Sequence, residues 1–177
     1  MNYKMMGRFI AQILTIEGIF MIPALILGLV FGETGAAYAF LYTIGAIAVT
    51  VVVLNLLCRG APSAFYAKEG LVCVGVSWIV LSLFGCLPFY LSREIPSYID
   101  AFFEIVSGFS TTGSSILTDV EAMSHAGLFW RSFTHWIGGM GVLVFLLAVL
   151  PMVGGSNMHL MKAESPGPVV GLSLIHI

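Results

Sequence analysis

The chain has 177 residues, of which 59% are hydrophobic and 9% charged, with a formal net charge of −2. Soluble domains carry about 25% charged residues, so this composition indicates an integral membrane protein, and the slightly acidic balance argues against a nucleic-acid partner. The cysteines lie in or beside apolar segments without CxxC spacing, which favours packing over disulfide or metal chemistry. They are Cys58, Cys73 and Cys86.

The first predicted element is a helical hairpin. Residues 9–31 form an apolar stretch that gives about 34 Å of helix, enough to cross a membrane with some tilt. A tight turn is predicted at 32–35, and a second apolar span follows at 36–57. Glu17 lies near the middle of the first span, where a charged side chain costs about 2.5–3.5 kcal/mol. We therefore expect Glu17 to face protein or water.

After a loop at 58–69, the chain predicts a third span at 70–91 and then a short helix at 97–108. Ser97 is a start signal for this helix, and Gly108 is a stop signal. At about 1.5 Å per residue it spans only about 18 Å, against about 30 Å for a hydrocarbon core. The half-helix can therefore enter the membrane but not cross it. Within it, Glu104 is expected to brace the following loop through hydrogen bonds.

The loop at 110–115, Ser-Thr-Thr-Gly-Ser-Ser, is small, polar and uncharged. Irregular backbone between apolar segments is tolerated where it lines water or an ion path. A half-helix, such a loop and a full-length helix outline a re-entrant pore loop whose carbonyls replace a cation's hydration shell. Gly113 can take the positive φ that this needs. The alternative is an extracellular turn between two membrane helices.

A polar loop at 116–127 precedes a fourth predicted span at 128–150. Within that span, Gly138-Gly139-Met140-Gly141 predicts close helix packing or a flexible point rather than a phosphate loop, because it follows no strand. His125, His135 and His159 lack the spacing of metal ligands.

The distribution of Lys and Arg predicts a cytoplasmic N-terminus, because cytoplasmic loops hold more of them. One side has Lys4, Arg8, Arg59, Lys68 and Lys162, whereas the other has Arg93 and Arg131. The acidic residues of the outer side would raise the local cation concentration. The alternative is that these loops are acidic only because the basic residues are retained on the inner side. The acidic residues are Glu33, Glu94, Asp100, Asp119 and Glu121.

Two linked segments carry a family resemblance. They resemble the first pore repeat of the Trk/Ktr potassium-uptake proteins, especially the bacterial TrkH branch, and the likeness extends over residues 3–168. The segments are Phe102-Phe103-Glu104-Ile105-Val106-Ser107-Gly108-Phe109-Ser110-Thr111-Thr112-Gly113-Ser114-Ser115 and Phe129-Trp130-Arg131-Ser132-Phe133-Thr134-His135-Trp136-Ile137-Gly138-Gly139-Met140-Gly141.

This resemblance implies an all-α integral membrane protein with a potassium-channel-like fold. Two N-terminal transmembrane helices and a cytoplasmic loop would occupy 1–69. One helix, pore loop and helix repeat would occupy 70–150, with its filter at 110–115, and a cytoplasmic tail would follow at 151–177. The implied potassium ligands are the backbone carbonyls of Thr111, Thr112, Gly113 and Ser114.

The implied function is potassium uptake across the bacterial inner membrane, without enzymatic activity. Potassium would be the transported ion and the lipid bilayer the setting. Resemblance further implies a homodimer of the full-length protein and a cytoplasmic regulatory subunit that senses nucleotides.

The chain departs from the family pattern because it holds one pore loop where the family has four. It is therefore expected to be an N-terminal fragment that does not conduct selectively alone, since several carbonyl-bearing loops replace a hydration shell. Residues 171–177 do not resemble the family's polar linker and suggest a foreign or frameshifted end.

Two alternative functions remain open at this point. One is a non-conducting membrane scaffold or assembly subunit. The remote one is an intramembrane serine hydrolase, with Ser110 as nucleophile and His135 as base. The hydrolase motif Gly-x-Ser-x-Gly requires glycine where this chain has Thr112, which argues against it.

Overall fold

The computed structural model describes residues 3–59 and 67–149, with side chains over 3–59 and 72–141. All regular structure in these residues is helical, so the predicted all-α membrane fold is confirmed. The predicted tail at 151–177, with His159 and Lys162, lies outside the described residues. The helices are α1 (Tyr3–Val30), α2 (Thr34–Leu57), α3 (Ala67–Gly85), α4 (Leu87–Leu91), α5 (Tyr98–Phe109) and α6 (His125–Val149).

Three stretches of the described chain are long and apolar enough to cross a membrane: Tyr3–Val30, Thr34–Leu57 and Val72–Leu91. The fourth predicted span, 128–150, falls largely on α6. The chain divides into two compact units, Met1–Met140 and Gly141–Ile177. The second is described only as the helical backbone that ends at Val149, and the packing described below belongs to the first.

Helices α1 and α2 form the predicted hairpin, joined by a turn at which Gly32 has a φ of 73°. Small residues let the two backbones approach closely. A Cβ atom at Gly28 would lie 3.2 Å from the backbone nitrogen of Ala37. The large side chains on the other faces of the hairpin stay exposed within the chain, as expected for a lipid-facing surface.

The third predicted span is interrupted at Cys86, where α3 ends and the short α4 begins. Pro88 stands in the first turn of α4, and proline has no backbone N–H with which to continue the hydrogen-bond ladder. At the same interruption, the Gly85 carbonyl accepts a hydrogen bond from Trp130 Nε1 of α6 at 2.9 Å. The interruption therefore gives α6 a fixed attachment point on α3.

The N-terminus of α6 is held by a carboxylate from the α1–α2 turn. Glu33 accepts hydrogen bonds from the backbone N–H groups of His125 at 2.9 Å and Ala126 at 3.2 Å. Its Oε1 also lies 2.8 Å from His125 Nδ1, and Ser124 Oγ accepts from the N–H of Gly127 at 3.0 Å. A negative charge is favourable at this end of a helix, where several N–H groups have no intrahelical partner.

These contacts change the acidity of Glu33. Burial alone would raise its pKa, but the hydrogen bonds and the charge interaction with His125, together with the Ala126 N–H, outweigh that effect and leave the pKa below its usual value. A depressed carboxyl pKa stabilises the fold at neutral pH, and this contribution is lost as the pH falls through the folded-state pKa.

We predict that Glu33→Ala lowers the free energy of unfolding by about 1 kcal/mol at neutral pH, because a helix cap is removed. The difference from the wild type should shrink below about pH 4, where the carboxyl is protonated in both states. Denaturant unfolding in micelles, followed by circular dichroism at several pH values, measures it. The control is Glu121→Ala, at an exposed position; an equal loss in both variants would contradict the assigned role.

Candidate functional site

Helix α5 has 12 residues and ends inside the first unit at Phe109. It begins at a capping residue, since Ser97 Oγ accepts a hydrogen bond from the N–H of Asp100 at 3.4 Å. One face of α5 is buried, including Ala101, Ile105 and Phe109. Such a helix delivers the following loop to a fixed place.

The loop after α5 folds back over the last turn of that helix. The carbonyl of Ser107 accepts from the N–H groups of Thr112 at 3.0 Å and Gly113 at 3.4 Å. Ser107 Oγ donates to the Ser114 carbonyl at 2.5 Å. The hydroxyls of Ser110 and Thr112 are 2.7 Å apart. The backbone N–H groups of residues 110–113 thus donate to carbonyls in the last turns of α5.

Two residues of this loop have left-handed backbone conformations, Thr111 with φ 56° and Gly113 with φ 75°. Glycine adopts this region without a steric cost, as the sequence predicted for Gly113. A β-branched residue there is rare and costs of the order of 1–3 kcal/mol. The surrounding hydrogen bonds therefore impose a conformation that Thr111 would not adopt by itself.

Three consecutive carbonyl groups in the loop accept no hydrogen bond from the described residues: those of Thr111, Thr112 and Gly113. The Ser114 carbonyl differs, because Ser107 Oγ already donates to it. All four residues are exposed in the chain. Their oxygens are available to a ligand that approaches from outside this unit.

Glu104 joins α5, the loop and α6. Its side chain is 1% exposed, and its oxygens accept from Ser115 Oγ at 3.0 and 3.1 Å and from the Ile116 N–H at 3.2 Å. Arg131 Nε of α6 donates to Glu104 Oε1 at 2.6 Å. The predicted bracing by Glu104 is confirmed. Its partner Arg131, which is 17% exposed, was counted in the sequence only as an outer cation.

Glycines let α6 pack directly against the end of α5. A Cβ atom at Gly138 would overlap the carbonyl oxygen of Phe109, the last residue of α5, and one at Gly108 would overlap the Thr134 hydroxyl. The close packing predicted for the Gly-Gly-Met-Gly stretch is therefore confirmed at Gly138. Only glycine at these two positions permits the observed spacing.

The two residues considered for a serine hydrolase have other partners. Ser110 Oγ interacts with the Thr112 hydroxyl and the Ser107 carbonyl, and His135 Nδ1 with the Arg131 carbonyl at 2.9 Å. No hydrogen bond joins Ser110 to His135 in the part of the chain that the structure describes. The same residues contain no group of three or more His, Cys, Asp or Glu that could hold a metal ion.

Comparisons with known proteins agree with one another. The family profile described as "TrkH: Cation transport protein" matches residues 38–175. The Trk system potassium uptake protein TrkH of Halomonas elongata is 33% identical over 170 residues, covering 96% of this chain and 35% of that protein. TrkH of Escherichia coli K12 is 35% identical over 171 residues, with the same shares.

A solved structure gives the same likeness in three dimensions. The crystal structure of the potassium transporter TrkH from Vibrio parahaemolyticus superposes with a TM-score of 0.79 at 27% identity, covering 92% of this chain and 36% of that one. The chain therefore spans about a third of the length of these relatives.

We predict that the Glu104–Arg131 pair is energetically coupled. Arg131→Gln should cost about 3–5 kcal/mol of unfolding free energy, because it leaves the buried Glu104 carboxylate without its charge partner. Glu104→Gln should cost less, because the Arg131 side chain that it leaves unpaired is 17% exposed. The double variant should cost clearly less than the sum, and unfolding in micelles gives this double-mutant cycle. Additive losses would show that the two side chains do not depend on each other.

A second prediction compares neighbouring glycines. Gly138→Ala should cost about 1–3 kcal/mol, because the new methyl group forces α6 away from the Phe109 carbonyl. Gly139→Ala is the matched control, since a Cβ atom there lies 3.8 Å from Thr111 Cγ2, an ordinary contact. Unfolding free energies measured side by side test this, and equal effects would refute it.

Proposed function

The chain belongs to the TrkH family of cation transport proteins, and on this premise we propose that it supplies one pore loop of a membrane potassium-uptake pathway. The relatives cited above are named Trk system potassium uptake proteins or a potassium transporter. Since the chain covers about a third of each, the proposal concerns its part in a larger pathway.

The observation that carries the proposal is the run of carbonyls at Thr111, Thr112 and Gly113 without hydrogen-bond donors among the described residues. Potassium sheds its water only where oxygen atoms replace that water, and backbone carbonyls do so in selectivity filters. The negative end of the α5 dipole adds a favourable potential at the same place. We assign Thr111, Thr112, Gly113 and Ser114 as potassium ligands through their carbonyls.

The bracing of the loop fits this assignment. A carbonyl that substitutes for water has to stay in place when the ion leaves. Glu104, Ser115 and Arg131 supply that support on one side of the loop, and Ser107 supplies it on the other. The exposure of the four assigned residues leaves room for equivalent loops to complete the coordination.

The proposed setting is the bacterial inner membrane, with a cytoplasmic N-terminus as the Lys and Arg distribution predicts. The half-helix at 97–108 would then enter from the outside. Transport would be passive and driven by the membrane potential, at about 2.3 kcal/mol per charge per 100 mV, and no enzymatic step is involved. A homodimer and a cytoplasmic nucleotide-sensing subunit complete the proposal for the full-length protein.

A chimera tests the proposal. The segment of Escherichia coli TrkH that matches this chain is replaced by this chain's sequence, and growth of a potassium-uptake-deficient strain is measured at limiting potassium together with rubidium uptake. Restored, potassium-selective growth supports a pore loop. A chimera that reaches the membrane folded but transports nothing supports the scaffold alternative.

Within that chimera, we predict that Gly113→Val lowers potassium-over-sodium selectivity by roughly tenfold or more. The left-handed conformation costs a side-chain-bearing residue about 1–2 kcal/mol, and 1.4 kcal/mol corresponds to a factor of ten. No atom lies within 4 Å of a Cβ at Gly113, so the change acts through the backbone alone.

The matched control for this variant is Gly35→Val, where a Cβ also meets nothing within 4 Å and no positive φ is required. Competition between rubidium and sodium uptake gives the selectivity. Unchanged selectivity in the Gly113 variant would show that this loop is not the filter.

A further inference from the structure

Glu17 is a buried acid that the proposed pathway does not use. It lies in the middle of α1, 3% exposed, and neither of its carboxyl oxygens has a hydrogen-bond partner among the residues that the structure describes. Glu104, buried to a similar degree, has Ser115, Ile116 and Arg131 as partners. The sequence predicted that Glu17 faces protein or water, and it faces protein.

The carboxyl group lies at the interruption between α3 and α4. The position that a Cβ atom would take at Gly85 is 3.0 Å from Glu17 Oε1, 3.2 Å from Ile105 Cγ2 and 3.3 Å from Phe109 Cε2. Gly85 therefore has the Glu17 carboxyl group of α1 and two apolar side chains of α5 as neighbours. Cys86, the next residue along the chain, is fully buried.

Polar groups on the neighbouring helices already have partners elsewhere. Thr43 of α2 donates to the Ala39 carbonyl, and Ser82 of α3 donates to the Trp78 carbonyl. The Cys86 thiol donates to the Leu83 carbonyl. Trp130 of α6 donates to Gly85, and Arg131 of the same helix is paired with Glu104.

An ionised carboxylate in such surroundings is strongly disfavoured, because a buried charge needs a counter-charge or several donors. A metal ion would need further oxygen, nitrogen or sulfur ligands, and no acidic, His or Cys cluster of three occurs in the described chain. A proton neutralises the group without any of these.

From this geometry we propose that Glu17 is a proton-binding site, carried as a neutral carboxylic acid between the first hairpin and the α3–α4 interruption. The bound proton neutralises the Glu17 carboxyl group where α1 lies beside Gly85, near Ile105 and Phe109 of α5. Proton binding at Glu17 and the packing of the α1–α2 hairpin against the α3–α4 interruption are therefore linked. The site is independent of whether the loop binds potassium.

Infrared difference spectroscopy tests the proposal on this chain in lipid nanodiscs at neutral pH. Subtracting the Glu17→Gln spectrum from the wild-type spectrum should leave a carbonyl band of a protonated carboxylic acid that shifts in D2O. Glu121→Gln, at an exposed position, is the matched control and should remove carboxylate bands instead. Loss of carboxylate bands in the Glu17 variant would overturn the proposal.

Unfolding midpoints provide a second readout. Glu17→Gln and Glu17→Met carry no ionisable group at this position, and both should unfold at the wild-type midpoint or above it at neutral pH. A clear drop in both variants would mean that an ionised Glu17 is held by a partner, which contradicts a neutral acid. If either variant fails to fold, that result also contradicts a neutral acid at this position.

Discussion

A single buried carboxylate, Glu104, determines how the end of α5, the loop after it and α6 are arranged. The 12-residue helix α5 is too short to cross a membrane, and the loop that follows it folds back over its last turn. Glu104 accepts from the loop at Ser115 and Ile116 and from Arg131 of α6. Together with Ser107, it holds the loop and leaves the carbonyls of Thr111, Thr112 and Gly113 without a hydrogen bond from the residues that the structure describes.

Glycine makes the same arrangement possible in the backbone. Gly138 lets α6 lie against the Phe109 carbonyl, and Gly108 leaves space for Thr134. Gly113 supplies the positive φ that turns the loop. A side chain at any of these positions would move the loop relative to its supports. The site therefore depends on the lack of side chains at these glycines as much as on the polar groups around the loop.

Local signals in the sequence predicted much of this structure. The apolar stretches gave the hairpin, and Ser97 and Gly108 bounded the half-helix to within a residue or so. The remaining features depend on partners distant in sequence. Glu33 caps a helix 92 residues away, and Arg131 pairs with the buried Glu104. Nothing in the local pattern of Thr111 predicts its positive φ, because the fold imposes it.

The interruption at Cys86 was hidden for a related reason. In the sequence the apolar stretch at 70–91 reads as one span, and only the hydrogen bond from Trp130 to Gly85 shows what the interruption does. It fastens α6 to α3, and Gly85 at this point lies beside the Glu17 carboxyl group. A feature that seemed a minor irregularity thus connects the hairpin, the half-helix and the final helix.

The central claim is that the carbonyls of Thr111, Thr112 and Gly113 coordinate potassium. The most direct measurement is the anomalous scattering of rubidium in crystals of the transport-competent chimera. We predict a rubidium peak within coordination distance of those oxygens, which decreases when potassium competes. Rubidium bound elsewhere in the chimera, with none at this loop, would contradict the account.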